Sequence, residues 1–315
     1  MNERLRAYLE LLRLPNVFTA LADVFMGAWF VSYSSRSGDL PPLRAEVLAA
    51  LLAASAGLYL AGMVLNDYFD RDQDAEERPQ RPIPSGRVSP QAARLLGIEL
   101  LLFGVAFAVL ASFATGSVKA AAVALVLAGL VVAYDSVLKR TWFGGIAMGG
   151  CRGLNVLLGM SAAGADFAWQ PVNYQVAAAM GLYVAGVTWF ARTEAKVSSR
   201  LRLDLSALLM MAALFALAIF PHNVRPPLAT QVHVTELTAW NGSWVALGML
   251  IGVLAARAIL DPVPAKVQAA VRIYILALIP MNAAICYMMQ GRLPALGILV
   301  LMLPAMYLGR WIYST

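Results

Sequence analysis

The sequence predicts an all-α protein that crosses a membrane many times as one helical bundle. Of its 315 residues, 60% are hydrophobic and 13% are charged, whereas charged residues make up about 25% of a typical soluble domain. The mean hydropathy is +0.69. Apolar runs of about 18 to 22 residues, long enough to span a hydrocarbon core as helices, recur along the chain. We therefore expect a polytopic bundle of nine to ten transmembrane helices, forming a single integral membrane domain over residues 1–315.

Ten apolar runs account for the predicted helices in chain order. The first run follows Arg4, Arg6 and Arg13 without a convincing cleavage site, so we expect a retained helix rather than a signal peptide. The hydrophilic connections are too short to hold a hydrophobic core, so we expect no separate soluble domain. The predicted spans are residues 15–33, 45–65, 92–113, 118–136, 143–163, 172–191, 203–220, 242–260, 269–289 and, as the tenth, 293–312.

The distribution of Lys and Arg predicts a cytoplasmic N-terminus, because cytoplasmic loops of membrane proteins are rich in basic residues. The loops on the N-terminal side and their flanks contain Arg71, Arg78, Arg81, Arg87, Lys139, Arg140, Arg192, Lys196, Arg200 and Arg202. The opposite loops contain only Arg36, Arg44, Lys119, Arg225 and Arg292. The net charge of +6 therefore indicates topology and contact with anionic lipids, and we expect no nucleic-acid partner.

The segment NDYFDRDQDAEERPQRPIPSGR, residues 66–87, concentrates charge in this apolar chain. Asn66, Asp70 and Asp74 are spaced four apart, so on a helix continuing from the second span all three side chains share one face. Oxygen ligands of this kind suit Mg²⁺, which takes one or two carboxylates and completes its octahedron with water and phosphate oxygens. The spacing predicts a magnesium site at one end of the bundle.

Basic residues surround these carboxylates. We expect Asp67 and Asp72 to point away from the predicted metal and to pair with Arg71, Arg78 or Arg81, or to hold the ligands in place. The three arginines of residues 78–87 are interleaved with three prolines and a Ser-Gly turn. A rigid, cationic loop that suits phosphate therefore follows the predicted cation ligands.

Three other interpretations of this segment deserve comparison. An EF-hand calcium loop requires Gly where the chain has Ala75 and Glu where it has Arg81, so that interpretation fails. Membrane alcohol phosphotransferases also use an Asp-x-x-x-Asp element, but the Asp-Gly and Ala-Arg pairs that precede it there are missing. A solvated loop of mixed charge remains the plain alternative.

The order Asn66-Asp-Tyr-Phe-Asp-x-x-x-Asp74, followed by Arg81-Pro-Ile-Pro-Ser-Gly-Arg87, closely resembles the first aspartate-rich motif of the UbiA superfamily of intramembrane prenyltransferases. The resemblance covers the second to the seventh span. It implies a UbiA-like bundle of about nine helices with a cavity on the cytoplasmic side. It also implies that Mg²⁺, held by two such motifs, binds an isoprenyl diphosphate whose chain is transferred to a lipophilic acceptor.

Two further elements match this family. Tyr134-x-x-x-Leu138-Lys139 resembles its Tyr-x-x-x-Leu-Lys element, which implies that Tyr134 and Lys139 contact the diphosphate. An interface anchor, or an ion pair between Asp135 and Lys139, is the alternative. Asn16 follows Arg13 at the spacing of a family Arg-x-x-Asn element.

Several polar residues lie within predicted spans. Asn16, Thr19 and Asp23 form a stripe that we expect on the cavity wall near the acceptor, with packing between helices as the alternative. Arg152 and Asn155 form a second pair in the fifth span. A buried Arg needs an anion, and the substrate diphosphate, Asp23 and Glu194 are all candidates.

The second carboxylate motif of the family is altered. Residues 189–200 read WFARTEAKVSSR, in which Glu194 is the one acid, and this variant resembles the EboC-like branch of UbiA-related proteins. Arg192, Lys196 and Arg200 are spaced to share one helical face. We expect these cations to contact the diphosphate oxygens directly, opposite one Mg²⁺ at the first motif, with an inactive, degenerate site as the alternative.

The sequence therefore predicts Mg²⁺-dependent transfer of an isoprenyl group from its diphosphate to a lipophilic or small cyclic acceptor within the membrane. Aromatic side chains that could line the isoprenyl tunnel are Tyr68, Phe69, Tyr183, Trp189 and Phe190. A UbiA-like transferase that moves a phosphoribosyl group to a polyprenyl phosphate is the first rival. A transporter or lipid-binding protein is the second, and the absence of Gly- or Pro-broken helices in matching halves argues against it.

Overall fold

A computed structural model of the chain describes residues 3–34, 43–165, 167–192, 197–223 and 234–310, and the regular elements within those ranges are all helical. The all-α prediction is confirmed. The helices are α1 (Glu3–Leu12), α2 (Val17–Ser34), α3 (Ala45–Phe69), α4 (Arg71–Glu77), α5 (Pro90–Thr115), α6 (Lys119–Ser136), α7 (Gly144–Met160), α8 (Pro171–Ala191), α9 (Arg200–Ala218), α10 (Val234–Leu260), α11 (Pro264–Leu276), α12 (Leu278–Gln290), α13 (Arg292–Val300) and α14 (Met302–Leu308). Short 3₁₀ turns cover Leu14–Asn16, Leu138–Arg140 and Phe220–Asn223.

The helical passes correspond to the ten predicted apolar runs. Within the described ranges, eight helices are long and apolar enough to cross a membrane, with α11 and α12 counted as one span. The fifth run forms α7, which has 17 residues, and the tenth forms the shorter apolar segment Arg292–Leu308. The protein is thus a multi-pass integral membrane protein, as predicted.

Helix α2 lies at the centre of the bundle, where it packs against α3, α7 and α12. Glycines allow its closest approach to α7. A Cβ atom added to Gly27 would lie 2.6 Å from the carbonyl oxygen of Val156, and one added to Gly159 would lie 2.6 Å from that of Val24. Small residues at such crossings let two membrane helices bring their backbones together. The polar stripe of α2 is consequently placed in the interior of the bundle.

The last two spans are each interrupted before a proline. Helix α11 ends at Leu276 and α13 ends at Val300, four residues before Pro280 and Pro304. Proline has no N–H to donate to the carbonyl four residues earlier, which explains where each helix stops. Both interruptions are in consecutive C-terminal spans rather than in matching halves, so they do not form the paired broken helices of a transporter.

The basic loop after α4 packs against the bundle. Ile83 and Val88 are buried with Val64 of α3 and with Ala7 and Leu11 of α1. An ion pair of 2.7 Å between Arg87 and Glu10 ties the loop to α1 as well. This segment is therefore a fitted part of the structure, and the plain solvated loop is not what the structure shows. Its packing fixes the position of Arg81 beside the carboxylates.

Candidate active site

Two oxygen ligands and one cation meet at the end of α3. The Nζ atom of Lys139 lies 2.8 Å from Oδ2 of Asp70 and donates a 3.0 Å hydrogen bond to Oδ1 of Asn66. Asn66 belongs to the last turn of α3, whereas Lys139 belongs to the 3₁₀ turn after α6. The side chains of Lys139 and Asp70 are largely shielded, with exposed fractions of 10% and 19%. A positive charge is thus held between two hard oxygen ligands.

A second group of ion pairs lies beside the first. Arg81 contacts Oδ2 of Asp74 at 2.7 Å and Oδ1 of Asp67 at 3.4 Å. Arg13, which precedes the first 3₁₀ turn, contacts the same Asp67 oxygen at 2.6 Å. Burial raises the pKa of Asp74 above its usual value, the hydrogen bond and charge of Arg81 oppose this effect, and the charges of Asp67 and Asp70 add to it. This crowding of carboxylates favours bound cations.

The structure corrects the predicted grouping of these carboxylates. The helix is interrupted at Asp70, which separates α3 from α4. Asn66 and Asp70 therefore meet at Lys139, while Asp74 is paired with Asp67 through Arg81. The expectation that Asp67 points away from the site is wrong, although its predicted pairing with an arginine is confirmed.

Three other charged residues, Asp72, Arg78 and Arg140, lie near these ion pairs. Asp72 is 87% exposed and lies 3.6 Å from Arg71, a pairing that the sequence predicted. Arg78, predicted to bind substrate, donates its backbone N–H to the carbonyl of Asp74, and its half-buried side chain lies at the end of α4. Arg140 reaches Asp70 at 3.7 Å from an exposed position.

These residues fit a magnesium ion. Among the described residues, no three His, Cys, Asp or Glu side chains lie close enough to form a protein-only metal site. Mg²⁺ does not require one, because it is commonly held by one or two carboxylates together with water and substrate phosphate oxygens. Asn66 and Asp70, which already share one cation, supply such a donor pair. Asp74 and Asp67 supply two further carboxylates beside it.

A cavity of about 240 Å³ opens next to Lys139. It lies between the end of α6, the start of α7 and the end of α8. Arg192, at its edge, donates hydrogen bonds to the carbonyl oxygens of Thr141 (3.0 Å) and Arg140 (3.3 Å). The cavity is lined by Tyr134, Lys139, Gly144, Gly145, Thr188, Trp189, Ala191 and Arg192. Three predicted diphosphate contacts therefore line one opening. Tyr134 and Lys139 come from the Tyr-x-x-x-Leu-Lys element, and Arg192 comes from the altered second motif.

Two of the three cations predicted to share a helical face, Arg192 and Arg200, do not belong to one helix. Helix α8 ends at Ala191, residues 197–199 are not helical, and Arg200 begins α9. The guanidinium of Arg200 instead donates to the carbonyl of Leu260 at 3.1 Å. The prediction that Arg200 shares a helical face with Arg192 is therefore wrong. Glu194 and Lys196, and with them the Thr-Glu-Ala segment, lie outside the described residues.

Inside the bundle, Asp23 is the anion that Arg152 requires. Its Oδ2 atom lies 2.7 Å from Nε of Arg152 and accepts a hydrogen bond of 3.0 Å from Asn155. Its Oδ1 atom accepts a 2.8 Å bond from Asn282 of α12. Asp23 is completely buried and Arg152 is 8% exposed. Of the three candidate anions, Asp23 is the one that pairs with Arg152 among the described residues.

This network joins four helices. Ser55 of α3 donates to Oδ1 of Asn155, and Arg152 donates to the carbonyl of Thr19. Asn16 is half-buried at the end of the 3₁₀ turn, and its carbonyl accepts a bond from the Thr19 hydroxyl. The packing alternative therefore has direct support in the contacts of Asp23 and Asn155, while their predicted place beside the acceptor stays a prediction.

Sequence reasoning missed the roles of two residues. Arg13 pairs with Asp67 and has a left-handed backbone (φ 45°, ψ 46°), a conformation that non-glycine residues adopt rarely. Its place in the Arg-x-x-Asn element was the available signal. Asn282 is 259 residues from its partner Asp23, and no local pattern indicates that contact. Of the predicted tunnel aromatics, Tyr183 and Phe190 are fully buried in the bundle core.

Comparisons with known proteins agree with this architecture. The chain is 28% identical to digeranylgeranylglyceryl phosphate synthase of Methanopyrus kandleri over 279 residues, covering 80% of this chain and 98% of that protein. It is 38% identical to the synthase of the same name from Ignicoccus hospitalis over 139 residues, covering 44% and 41%.

Solved structures share the fold. One, described as digeranylgeranylglyceryl phosphate synthase in membranes, superposes with a TM-score of 0.61 at 18% identity, covering 91% of this chain and 99% of that one. A UbiA homologue from Archaeoglobus fulgidus, bound to GPP and Mg²⁺, gives 0.58 at 17% identity, covering 86% and 99%. The profile of the UbiA prenyltransferase family matches residues 24–315. The motif resemblance is thereby confirmed, and the chain belongs to the UbiA prenyltransferase family.

Proposed function

We propose that this protein catalyses the Mg²⁺-dependent transfer of an isoprenyl group from an isoprenyl diphosphate to a hydroxyl-bearing acceptor in the membrane. The observation that carries the proposal is the position of Lys139. Its ammonium group lies between Asn66 and Asp70, where a cation and a diphosphate would have to meet. Membership of a prenyltransferase family supports the same reaction class.

In this proposal, the donor diphosphate would lie between the carboxylate end of α3 and the cavity beside Lys139. Asn66 and Asp70 are the residues that would hold Mg²⁺, with Asp74 and Asp67 as the neighbouring carboxylates, and bound Mg²⁺ would supply positive charge to the phosphate oxygens. Lys139 and Arg192 both line the cavity and would contact the diphosphate oxygens directly. The A. fulgidus homologue described as bound to GPP and Mg²⁺ supports a donor and a metal of this kind.

Catalysis then consists mainly of electrostatic stabilisation. As the allylic carbon–oxygen bond of the donor breaks, negative charge accumulates on the departing diphosphate. Preorganised cations next to that charge lower the barrier, since they need no reorganisation during the reaction. Lys139 is suited to this task because its ammonium is already held by two side chains in a largely shielded position. No covalent intermediate with the protein is required.

The acceptor is proposed from chemistry and from the relatives. The relatives from M. kandleri and I. hospitalis are named for a glyceryl phosphate that carries geranylgeranyl groups. We therefore propose a phosphorylated glycerol with a free hydroxyl as the first acceptor class, and a small cyclic polyol as the second. The excess of Lys and Arg at this end of the bundle supports a site on the cytoplasmic side.

Purified protein in lipid nanodiscs, supplied with labelled geranylgeranyl diphosphate and each acceptor class, tests the proposal. We expect pyrophosphate release and a prenylated product, both of which disappear when Mg²⁺ is chelated. Donor binding without pyrophosphate release would instead favour the lipid-binding or transporter rival. Turnover of phosphoribosyl diphosphate with a polyprenyl phosphate, and not of the prenyl donor, would favour the other transferase.

A further inference from the structure

Asp135 is a buried carboxylate that the donor site does not use. It lies in the last turn of α6 with 2% of its surface exposed. Its Oδ2 atom is buried, and none of the described residues forms a hydrogen bond with it. Lys139, one turn further along the chain, is instead bonded to Asp70 and Asn66. A buried carboxylate oxygen without a partner is unfavourable, so its presence calls for a partner that arrives from outside the protein.

A glycine of α3 lies beside this oxygen. The residue of α3 that faces it is Gly62, where even an added Cβ atom would remain 4.0 Å from Oδ2. Gly62 has no side chain that could donate a hydrogen bond to the carboxylate. Asp135 and Gly62 each lie four residues before a donor-site residue, Lys139 and Asn66 respectively. One helical turn is about 5.4 Å, so the oxygen lies about that distance further into the bundle than the proposed diphosphate position.

The charged and titratable groups whose electrostatic fields reach Asp135 belong mostly to the donor site. They come from the elements that pack around α6 and from the segment before the first 3₁₀ turn. These groups are Lys139, Asp70, Arg13, Asp67, Tyr134 and Cys151. In the proposed site, a carboxylate at this depth would lie beside the isoprenyl chain rather than among the phosphates. An acceptor hydroxyl has to reach the reacting carbon from the same region.

We infer that Asp135 binds the nucleophilic hydroxyl of the acceptor and removes its proton. This inference rests on the proposed function. In the step, the bond between C1 of the isoprenyl group and the diphosphate oxygen breaks, and its electron pair leaves with the diphosphate. The acceptor oxygen forms a new bond to C1, and its proton moves to Oδ2 of Asp135. General bases of this type contribute about 10²- to 10⁴-fold to enzymatic rates.

The Asp135→Asn variant tests the inference, with Asp204→Asn as the matched control, because Asp204 is exposed on α9. Three quantities are measured in nanodiscs: the affinity for geranylgeranyl diphosphate with Mg²⁺, pyrophosphate release without acceptor, and product formation with acceptor. We expect Asp135→Asn to lower product formation by about 100-fold or more. Donor affinity and acceptor-free pyrophosphate release should stay within about threefold of the unmodified protein, because ionisation of the donor does not use this carboxylate.

Two results would overturn the inference. Product formation by Asp135→Asn within about threefold of the control would show that no proton is transferred to this residue. A parallel loss of donor affinity, of acceptor-free pyrophosphate release and of product formation would show that Asp135 serves the donor site or the fold. If the unmodified protein releases no pyrophosphate from any isoprenyl diphosphate, the proposed function itself is wrong, and that result is visible before any variant is compared.

Discussion

Replacing Asp23 by Asn tests whether the buried network of α2 holds the bundle together. The carboxylate is completely buried, forms an ion pair with Arg152 and accepts hydrogen bonds from Asn155 and Asn282. Asn keeps the size of the side chain but removes the charge, which leaves the guanidinium of Arg152 without an anion. Breaking a buried ion pair by removing one partner costs about 3–5 kcal/mol, because the other charge stays buried.

The matched control is Glu46→Gln, which breaks an ion pair of similar length on the surface. Glu46 and Arg44 are 2.9 Å apart with exposed fractions of 66% and 47%. Exposed pairs of this kind contribute about 1 kcal/mol or less. At about 2 °C per kcal/mol for a chain of this size, Asp23→Asn should lower the unfolding temperature by about 6–10 °C and the control by about 2 °C or less.

Thermal unfolding followed by tryptophan fluorescence in nanodiscs measures both shifts. Arg152→Gln and the double variant complete the cycle. The double variant should be more stable than the sum of the single losses by about 2 kcal/mol or more, since no charge is left unpaired. Equal unfolding temperatures for Asp23→Asn and Glu46→Gln would refute the structural role. A loss of acceptor affinity at unchanged stability would instead support the cavity-wall role predicted from sequence.

Three other predictions concern the donor site and the helix crossing. Lys139→Met should weaken Mg²⁺-dependent donor binding by about 10-fold or more, because a charge-assisted hydrogen bond contributes about 1.5–3 kcal/mol; an unchanged dissociation constant by filter binding would contradict this. Arg192→Ala should weaken the same binding by about 10-fold and Arg200→Ala should not, since only Arg192 lines the cavity; equal effects of the two variants would remove the reason for preferring Arg192. Gly27→Ala should destabilise the protein by about 1–3 kcal/mol, because the added Cβ would lie 2.6 Å from the carbonyl oxygen of Val156. The control is Gly252→Ala, where the added Cβ meets open space. Equal unfolding temperatures of the two variants would argue against the close crossing.

The helices were predictable because a membrane span must satisfy its backbone internally and present an apolar surface of fixed length. These requirements leave a local pattern in the sequence. The interruptions before Pro280 and Pro304 were not predicted, because the hydropathy of a span does not show where its helix stops. The prediction of a continuous helix across Asp70 was wrong. Residues 66–77 carry no apolar pattern that shows where the helix ends.

The candidate site was predictable as far as its residues follow one another in short motifs. The residue types of the proposed cation ligands at the end of α3 could be read directly from residues 66–87. Their partners could not, because the contacts are distant in sequence: Lys139 is 73 residues from Asn66, and Arg13 is 54 residues from Asp67. Both cations lie in connections between helices. The packing of the helices therefore decides which carboxylate each cation contacts.

The most direct test of the magnesium-diphosphate site compares Asp70→Asn with Asp72→Asn. These carboxylates are two residues apart, but Asp70 contacts Lys139 in a shielded position, whereas Asp72 is 87% exposed. Binding of geranylgeranyl diphosphate is measured by titration with and without Mg²⁺. The account predicts that Asp70→Asn loses the Mg²⁺-dependent part of the affinity and that Asp72→Asn retains it. Equal, Mg²⁺-dependent affinities of the two variants would contradict it.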